Sequence, residues 1–599
     1  MDKRVESVSQ QVGMPSALEA KLRAHVERIY PHEDAAALAE RIAAAFYEAS
    51  TVRRRSRIPG NTLWSQKDAF VITYADSMVD GEHVPLDLLN DFLLRRLSET
   101  TTGVHILPFF PWTSDDGFAI TDYRAVDSRF GDWHHITRIA GEFKLMADLV
   151  LNHVSSQGQW FSEYRQGKAP YDKFFIEASP EDDLSAVVRP RTSPLLREVE
   201  TANGKRHVWC TFSHDQVDLN FANPEVLIEF LRIMRSYIDH GVRVIRLDAV
   251  AFIWKEIGTN CIHLPETHEI VRLMRTLCDF ATEPVILITE TNVPNAENLS
   301  YFGNRNEAHA IYNFPLPPLV VHAMLAGTAR HLNTWQMAMP PAQLGCAYFN
   351  FVASHDGIGL RPAEGLLSEE EITQTIEAIE RFGGRVSYRR MADGSEKPYE
   401  INTTLFDAFK GTIDWQGPGD GLEEDGYQVD RLVTSQTIML ALEGIPALYI
   451  HAMLGTPNDH ERMVKTGHRR SINRHQWDYP SLNEVLGDPS TPQAKAFDRI
   501  CKTIAVRARQ PAFHPNATQF TLQLGDRIFG FWRQSLDRDQ SIFALHNVSA
   551  ETVELPVMSL NLIGHDEWHD LLSGQTISRN EKTLTLGPYQ CAWITNRAR

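Results

Sequence analysis

The sequence predicts an α/β fold: a (β/α)8 TIM barrel with inserts after strands 3 and 7, an N-terminal helical extension and a C-terminal all-β domain. Three observations carry this prediction. Eight short apolar runs recur along the middle of the chain. Amphipathic segments such as "PEVLIEFLRIMRSYIDHG" and "THEIVRLMRTLCDFA" separate several of them, and such alternation argues a parallel sheet that eight repeats close into a barrel. The tail then turns to short β-type runs with turn residues between them.

The elements follow in chain order. Residues 1–65 form the helical extension: "ALEAKLRAHVERIY" and "DAAALAERIAAAFYEAS" place apolar residues at helical spacing. They are read as a homodimer element or as a cap on the barrel. The basic run Arg53 to Arg57 that follows is read as a solvated surface. The barrel spans 66–511. Its strands are expected at 68–75, 103–109, 144–153, 242–250, 285–291, 309–314, 347–356 and 447–454. Two connections, about 154–241 and 357–446, are too long for simple loops, and long inserts in a compact fold are usually functional. Residues 512–599, with "RIFGFWRQ", "QSIFALHNVS" and "QCAWITN", form a β-sandwich-like domain.

Bulk composition narrows the function. The 599 residues are 43% hydrophobic and 23% charged, with a formal net charge of −18. That balance argues against nucleic-acid or anionic-membrane partners. It also means that an anionic substrate needs a local basic pocket. Six scattered cysteines form no C-x-x-C pair and fit a reducing cytosol. Neither an apolar signal core nor a spanning run is apparent, so a cytoplasmic protein is expected.

The fourth strand, "RVIRLDAVAF", holds a charged pair inside an apolar run. Arg246 and Asp248 stand two apart and so share one face of the strand. Burying them costs free energy unless they are paired. Other strand ends carry His153, Glu290, His355 and Asp356. In a barrel these ends meet at one mouth. Three carboxylates there suit retaining glycoside chemistry, which needs a nucleophile and a general acid roughly 5–5.5 Å apart. An adjacent arginine favours the ionised nucleophile, and burial raises the pKa of the acid. A third carboxylate stabilises positive charge in the transition state. Neither His153 nor His355 belongs to a metal-type pairing, and Arg246 opposes a cation, so no metal is expected. No phosphate-cradling loop of the G-x-x-x-x-G-K type occurs, so no cofactor is expected.

"RLDAV", "ITETN", "ASHDG" and "DLVLNHVS", with "PWTSDDGFAITDY", resemble the signatures of the α-amylase superfamily (glycoside hydrolase family 13) over about 70–480. "DLSAVVRPR", "SHDGIGL", "PYEIN" and "SINRH" resemble its sucrose-phosphorylase branch. "TETNVP", "SDDGF" and "RPRTSPLL" are most similar to glucosylglycerate phosphorylases. The resemblance implies a glycosyltransferase-type phosphorylase that acts on a small α-glucoside, with inorganic phosphate as co-substrate. Sucrose or glucosylglycerol phosphorolysis, and hydrolysis or transglucosylation on the same barrel, are the alternatives.

The resemblance also implies roles. Asp248 is the nucleophile, Glu290 the acid/base and Asp356 the transition-state stabiliser. Arg246, His355 and His153 support the nucleophile and the glucose hydroxyls. Asp115 and Arg474 clamp the far edge of the glucose, and Phe118 packs near the sugar. Arg191 is tied to phosphate, with Arg189 and Lys397 as further cations. Tyr399 and Glu400 belong to a mobile loop that faces acceptor or phosphate. Phe109, Phe110 and Trp112 are expected to cluster with Phe118 around the mouth.

Overall fold

A computed structural model describes residues 14–47, 53, 63–190, 193–390, 395–417, 423–560, 567–578 and 580–597. Eight parallel strands close into a barrel. They are β1 (Phe70–Thr73), β2 (Gly103–Ile106), β3 (Lys144–Val150), β4 (Val242–Asp248), β5 (Ile286–Thr289), β6 (Ala310–Tyr312), β7 (Ala347–Asn350) and β8 (Ile445–Tyr449). The first seven lie within their expected runs, while β8 starts two residues before the expected 447–454 and ends inside it. Closure is made by β1, where Phe70 pairs in register with Gly103 of β2 and Ala447 of β8. A Cβ at position 103 would lie 2.3 Å from the Phe70 ring, so only glycine admits that ring into the barrel.

Strand ends differ from expectation in one informative place. β4 stops at Asp248, because Ala249 takes the left-handed conformation (φ 52°) and turns the chain into a short 3-10 helix, Val250–Phe252. The strand therefore ends on its carboxylate rather than running to 250.

Helix α1 (Ser16–Ile29) packs against α4 (Pro265–Phe280), and α2 (Ala35–Phe46) against α3 (Pro224–Asp239). His25 Nδ1 lies 2.6 Å from Glu269 of α4, and Arg28 donates to the same carboxylate at 2.6 Å. Tyr30 donates to the Phe221 carbonyl at 2.9 Å. The extension is thus docked on the chain's own barrel. Of the basic run, only Arg53 is among the described residues.

Both inserts carry local sheet. The first holds the hairpin Leu196–Thr201/Gly204–Trp209 and pairs His153–Ser155 with Gln216–Asp218. The second holds a three-stranded sheet of Ile358–Gly359, Glu396–Asn402 and Arg385–Arg390. A six-stranded antiparallel sheet dominates the C-terminal region. Its strands bury both faces by alternation. Phe529, Phe531, Ile542 and Ala544 join the barrel's core, while Ile528, Phe543 and Leu545 build a separate cluster on the far side. No described helix is long and apolar enough to cross a membrane.

Candidate active site

Arg246 is the hub of the barrel mouth. It is 2% exposed and donates to Asp248 at 2.6 Å and to Asp148 of β3. The pairing follows from register, since Asp148 lies opposite Arg246, and Val150 opposite Asp248. Asp148 in turn binds His105 of β2 at 2.8 Å. Glu290 and Asp356 lie 3.9 and 4.0 Å from the same guanidinium. Three carboxylates, at the end of β4, just past β5 and six residues past β7, thus surround one cation. The expected convergence of Asp248, Glu290, Asp356 and Arg246 is present. Asp148 and His105 escaped sequence reading because each looks like an isolated polar residue in a strand.

Burial pushes Asp248 well above the ordinary carboxylate range; Arg246 opposes this, and Glu290 adds to it. Burial likewise raises Glu290, against Arg246 and with Asp356. The sequence alone suggested that Arg246 simply keeps Asp248 ionised. Arg246 is hydrogen-bonded to Asp248 and is 3.9 Å from Glu290, so it favours the ionised form of Asp248 more strongly than that of Glu290. Burial also acts to raise Asp356, but His355, Arg470, Arg246 and Arg474 together hold it below the carboxylate range.

The sugar-side expectations divide. Asp115, Phe118 and His153 line the cavity beside Asp248. Gln216 donates to Asp115 at 3.1 Å and lies 3.1 Å from His153 Nε2. His355 stacks on Phe118 at 5.2 Å, and burial pushes its pKa well below the usual histidine value, against the pull of Asp356. Arg474 pairs with Asp116 and donates to the His355 carbonyl at 3.0 Å. Residues 115 and 116 are both left-handed, so their carboxylates diverge: Asp115 enters the cavity, while Asp116 turns to Arg474 and Tyr74 behind it. Of the four aromatics expected at the mouth, Phe118 alone lines the cavity. Phe109 and Phe110 are fully buried against Trp133 and Tyr237, as core. Trp112 stacks under Arg129 instead.

The acceptor side needs more revision. Tyr399 and Glu400 line the cavity, but on the strand Glu396–Asn402 of an ordered sheet rather than on a loose loop. Glu400 is 3% exposed and accepts from both Nε and Nη2 of Arg470, at 2.9 and 2.5 Å. Arg470 Nη1 donates to Asp356 at 2.7 Å. Arg470 thus ties the second insert to Asp356 at the barrel mouth. Sequence reading missed it, although it stands four residues before Arg474. Lys397 faces Glu364 and Glu369, at 3.8 and 3.6 Å, outside the cavity. Arg189 bonds the Ser193 carbonyl. Arg191 lies outside the described residues.

One group elsewhere has metal-type composition: His322, His331 and Glu371. Glu371 already accepts from Arg330 at 3.0 Å and from the Ser368 cap of its own helix, and it lies 2.7 Å from His331. Its oxygens are occupied, and a cation adjoins them.

Comparison with known proteins agrees with this geometry. A model of the α-amylase catalytic domain matches residues 95–357. The chain is 41% identical over 536 residues to the glucosylglycerate phosphorylase of Spirochaeta thermophila, covering 88% of this chain and 90% of that one. It is 43% identical over 532 residues to the glucosylglycerate phosphorylase of Allomeiothermus silvanus, covering 89% and 91%. The crystal structure of a sucrose 6F-phosphate phosphorylase from Thermoanaerobacter thermosaccharolyticum shares the fold, with a TM-score of 0.70 at 23% identity over 89% of this chain and 99% of that one. A closed barrel with its acids gathered on one arginine, and identity of this extent along nearly the whole chain, place this protein in the α-amylase family, in the branch that holds the glucosylglycerate phosphorylases.

Proposed function

We propose that this protein is a retaining α-glucoside phosphorylase acting on 2-O-α-glucosylglycerate. The observation that supports it most is the unequal hold of Arg246 on Asp248 and Glu290. It leaves one carboxylate as nucleophile and the other as acid. In the first displacement an Asp248 oxygen attacks the anomeric carbon, and Glu290 gives its proton to the leaving oxygen of glycerate. A β-glucosyl ester forms. In the second, a phosphate oxygen attacks the same carbon, Glu290 takes the phosphate proton, and Asp248 leaves. The product is α-glucose 1-phosphate with retained configuration. Asp356 lies on the hub cation and remains anionic, so it stabilises the oxocarbenium-like charge. His153, Asp115, Phe118 and His355 hold the glucose. No cofactor enters this cycle, and six free cysteines suit a cytoplasmic enzyme.

The test is product analysis with glucosylglycerate, with and without inorganic phosphate. Phosphate-dependent release of glucose 1-phosphate is expected. Equal turnover without phosphate, giving free glucose, would overturn the assignment.

A further inference from the structure

An anion that enters this cavity meets five carboxylate residues in its lining: Asp115, Asp248, Glu290, Asp356 and Glu400. Both co-substrates of the proposed reaction, glycerate and phosphate, are anions. Repulsion of that kind must be offset by a cation with donors to spare. Arg246 lies beneath the acids and is committed to Asp148 and Asp248. Arg470 spends Nε, Nη1 and Nη2 on Glu400 and Asp356. Lys397 and Arg189 point elsewhere.

One lining cation differs. Arg361 is half-buried in the cavity wall, and among the described residues it makes no ion pair or side-chain hydrogen bond. Its backbone is nevertheless held firmly. It opens a short 3-10 turn, Arg361–Ala363, stiffened by Pro362. The preceding residues pair with the strand that carries Glu400, through Gly359↔Glu400 and a Leu360 N–H to Tyr399 carbonyl bond of 3.0 Å. Gly357 (φ 79°), beside Asp356, permits the close approach, because a Cβ there would lie 2.6 Å from the Ile401 carbonyl oxygen. A polar partner lies nearby. Asn292, just past Glu290, lines the same wall, packs within 3.0 Å of where a Gly359 Cβ would be, and has a buried amide oxygen without a hydrogen-bond partner.

Resting on the phosphorylase reading, we propose that Arg361 is the oxyanion anchor of the acceptor side. Its guanidinium takes the carboxylate of glycerate or the phosphate that replaces it, and Asn292 takes an acceptor hydroxyl. The fork of a guanidinium matches either anion. Sequence patterning gave no hint, since "GLRP" looks like an ordinary turn.

The experiment compares wild type with Arg361→Gln and Arg361→Lys in two ratios. The first is kcat/KM for glycerate over that for uncharged glycerol as acceptor. The second is kcat/KM for glucose 1-phosphate over that for α-glucosyl fluoride as donor. A charge-assisted contact predicts a fall of roughly tenfold to a hundredfold in Arg361→Gln, partly restored in Arg361→Lys. A fall in the first ratio alone assigns the carboxylate, in the second alone the phosphate, and in both a shared anchor. Both ratios unchanged would overturn the proposal, as would equal loss with charged and uncharged substrates. Calorimetric binding of glycerate and of inorganic phosphate separates this from failure of the parent reading. If wild type binds either anion without turnover and Arg361→Gln loses that binding, the phosphorylase reading falls and the anchor stands. Binding unaffected by Arg361→Gln refutes the anchor.

Discussion

Asp248 and Glu290 are chemically similar acids made different by one neighbour. Arg246 donates to Asp248 at 2.6 Å but is 3.9 Å from Glu290. Two outcomes follow for these residues. On the proposed mechanism Asp248→Asn removes the nucleophile and is expected to abolish turnover. Because burial raises Asp248, its ionised form lowers folded-state stability as pH rises above the unfolded carboxylate value. The asparagine variant should therefore melt no lower than wild type at neutral pH, and a thermal melt checks this. Glu290→Gln removes the proton donor. Turnover of glucosylglycerate should fall about a hundredfold to ten-thousandfold. The loss should be much smaller with α-glucosyl fluoride, whose leaving group needs little protonation. Since burial raises Glu290, the acid stays protonated to higher pH than a free carboxylate. The alkaline limb of kcat/KM, where this proton is lost, should vanish in Glu290→Gln with the fluoride as donor.

At the scale of elements, β4 was legible because its apolar run and its charged pair stand in one stretch of chain. Its exact end was not, since the left-handed turn at Ala249 depends on the barrel rim. The strand Glu396–Asn402 shows the opposite case. Nothing in "EKPYEIN" signals a three-stranded sheet, because its partners lie at Ile358–Gly359 and Arg385–Arg390. Arg470 joins that strand to Asp356. In Arg470→Lys, a single ammonium replaces a fork that makes three hydrogen bonds. The expected result is a fall in kcat of about tenfold to a hundredfold, with little change in melting temperature. Steady-state kinetics beside a thermal melt would show whether the fork matters to chemistry or only to folding.

Across the whole molecule, the barrel and the C-terminal sheet share a core, and their seam contains buried polar groups. Arg533 of the C-terminal sheet donates to the carbonyls of Ala441 and His514, at 2.7 and 2.8 Å. Glu443, on the barrel side of this seam, accepts from the Ala342 N–H at 2.7 Å. Burial pushes Glu443 up to about 7, against that hydrogen bond and Arg533. A carboxyl with a raised folded pKa contributes stability that is fully present below its unfolded pKa and is lost as pH rises through the folded one. Glu443→Gln should match wild type near pH 4 and exceed it by about 1–2 kcal/mol at pH 8, after a discount for partial exposure. Denaturant unfolding at the two pH values measures this. An advantage at the low pH instead would refute the seam's role.

The sequence by itself determined the architecture and the chemical core. Eight apolar runs, each long enough for a barrel strand, and acids at their ends sufficed, because strand periodicity and the shared mouth of a barrel convert local pattern into place. Tertiary structure alone decided the partners. That Arg474 meets Asp116, that Arg470 bridges Asp356 and Glu400, and that Phe109 is core rather than mouth are matters of where side chains from distant segments end. Burial likewise raised the pKa of two ordinary carboxyls, Asp248 and Glu290. A residue's own neighbours in the chain fix its face on a strand, but desolvation and pairing depend on atoms that only the fold brings within a few ångströms.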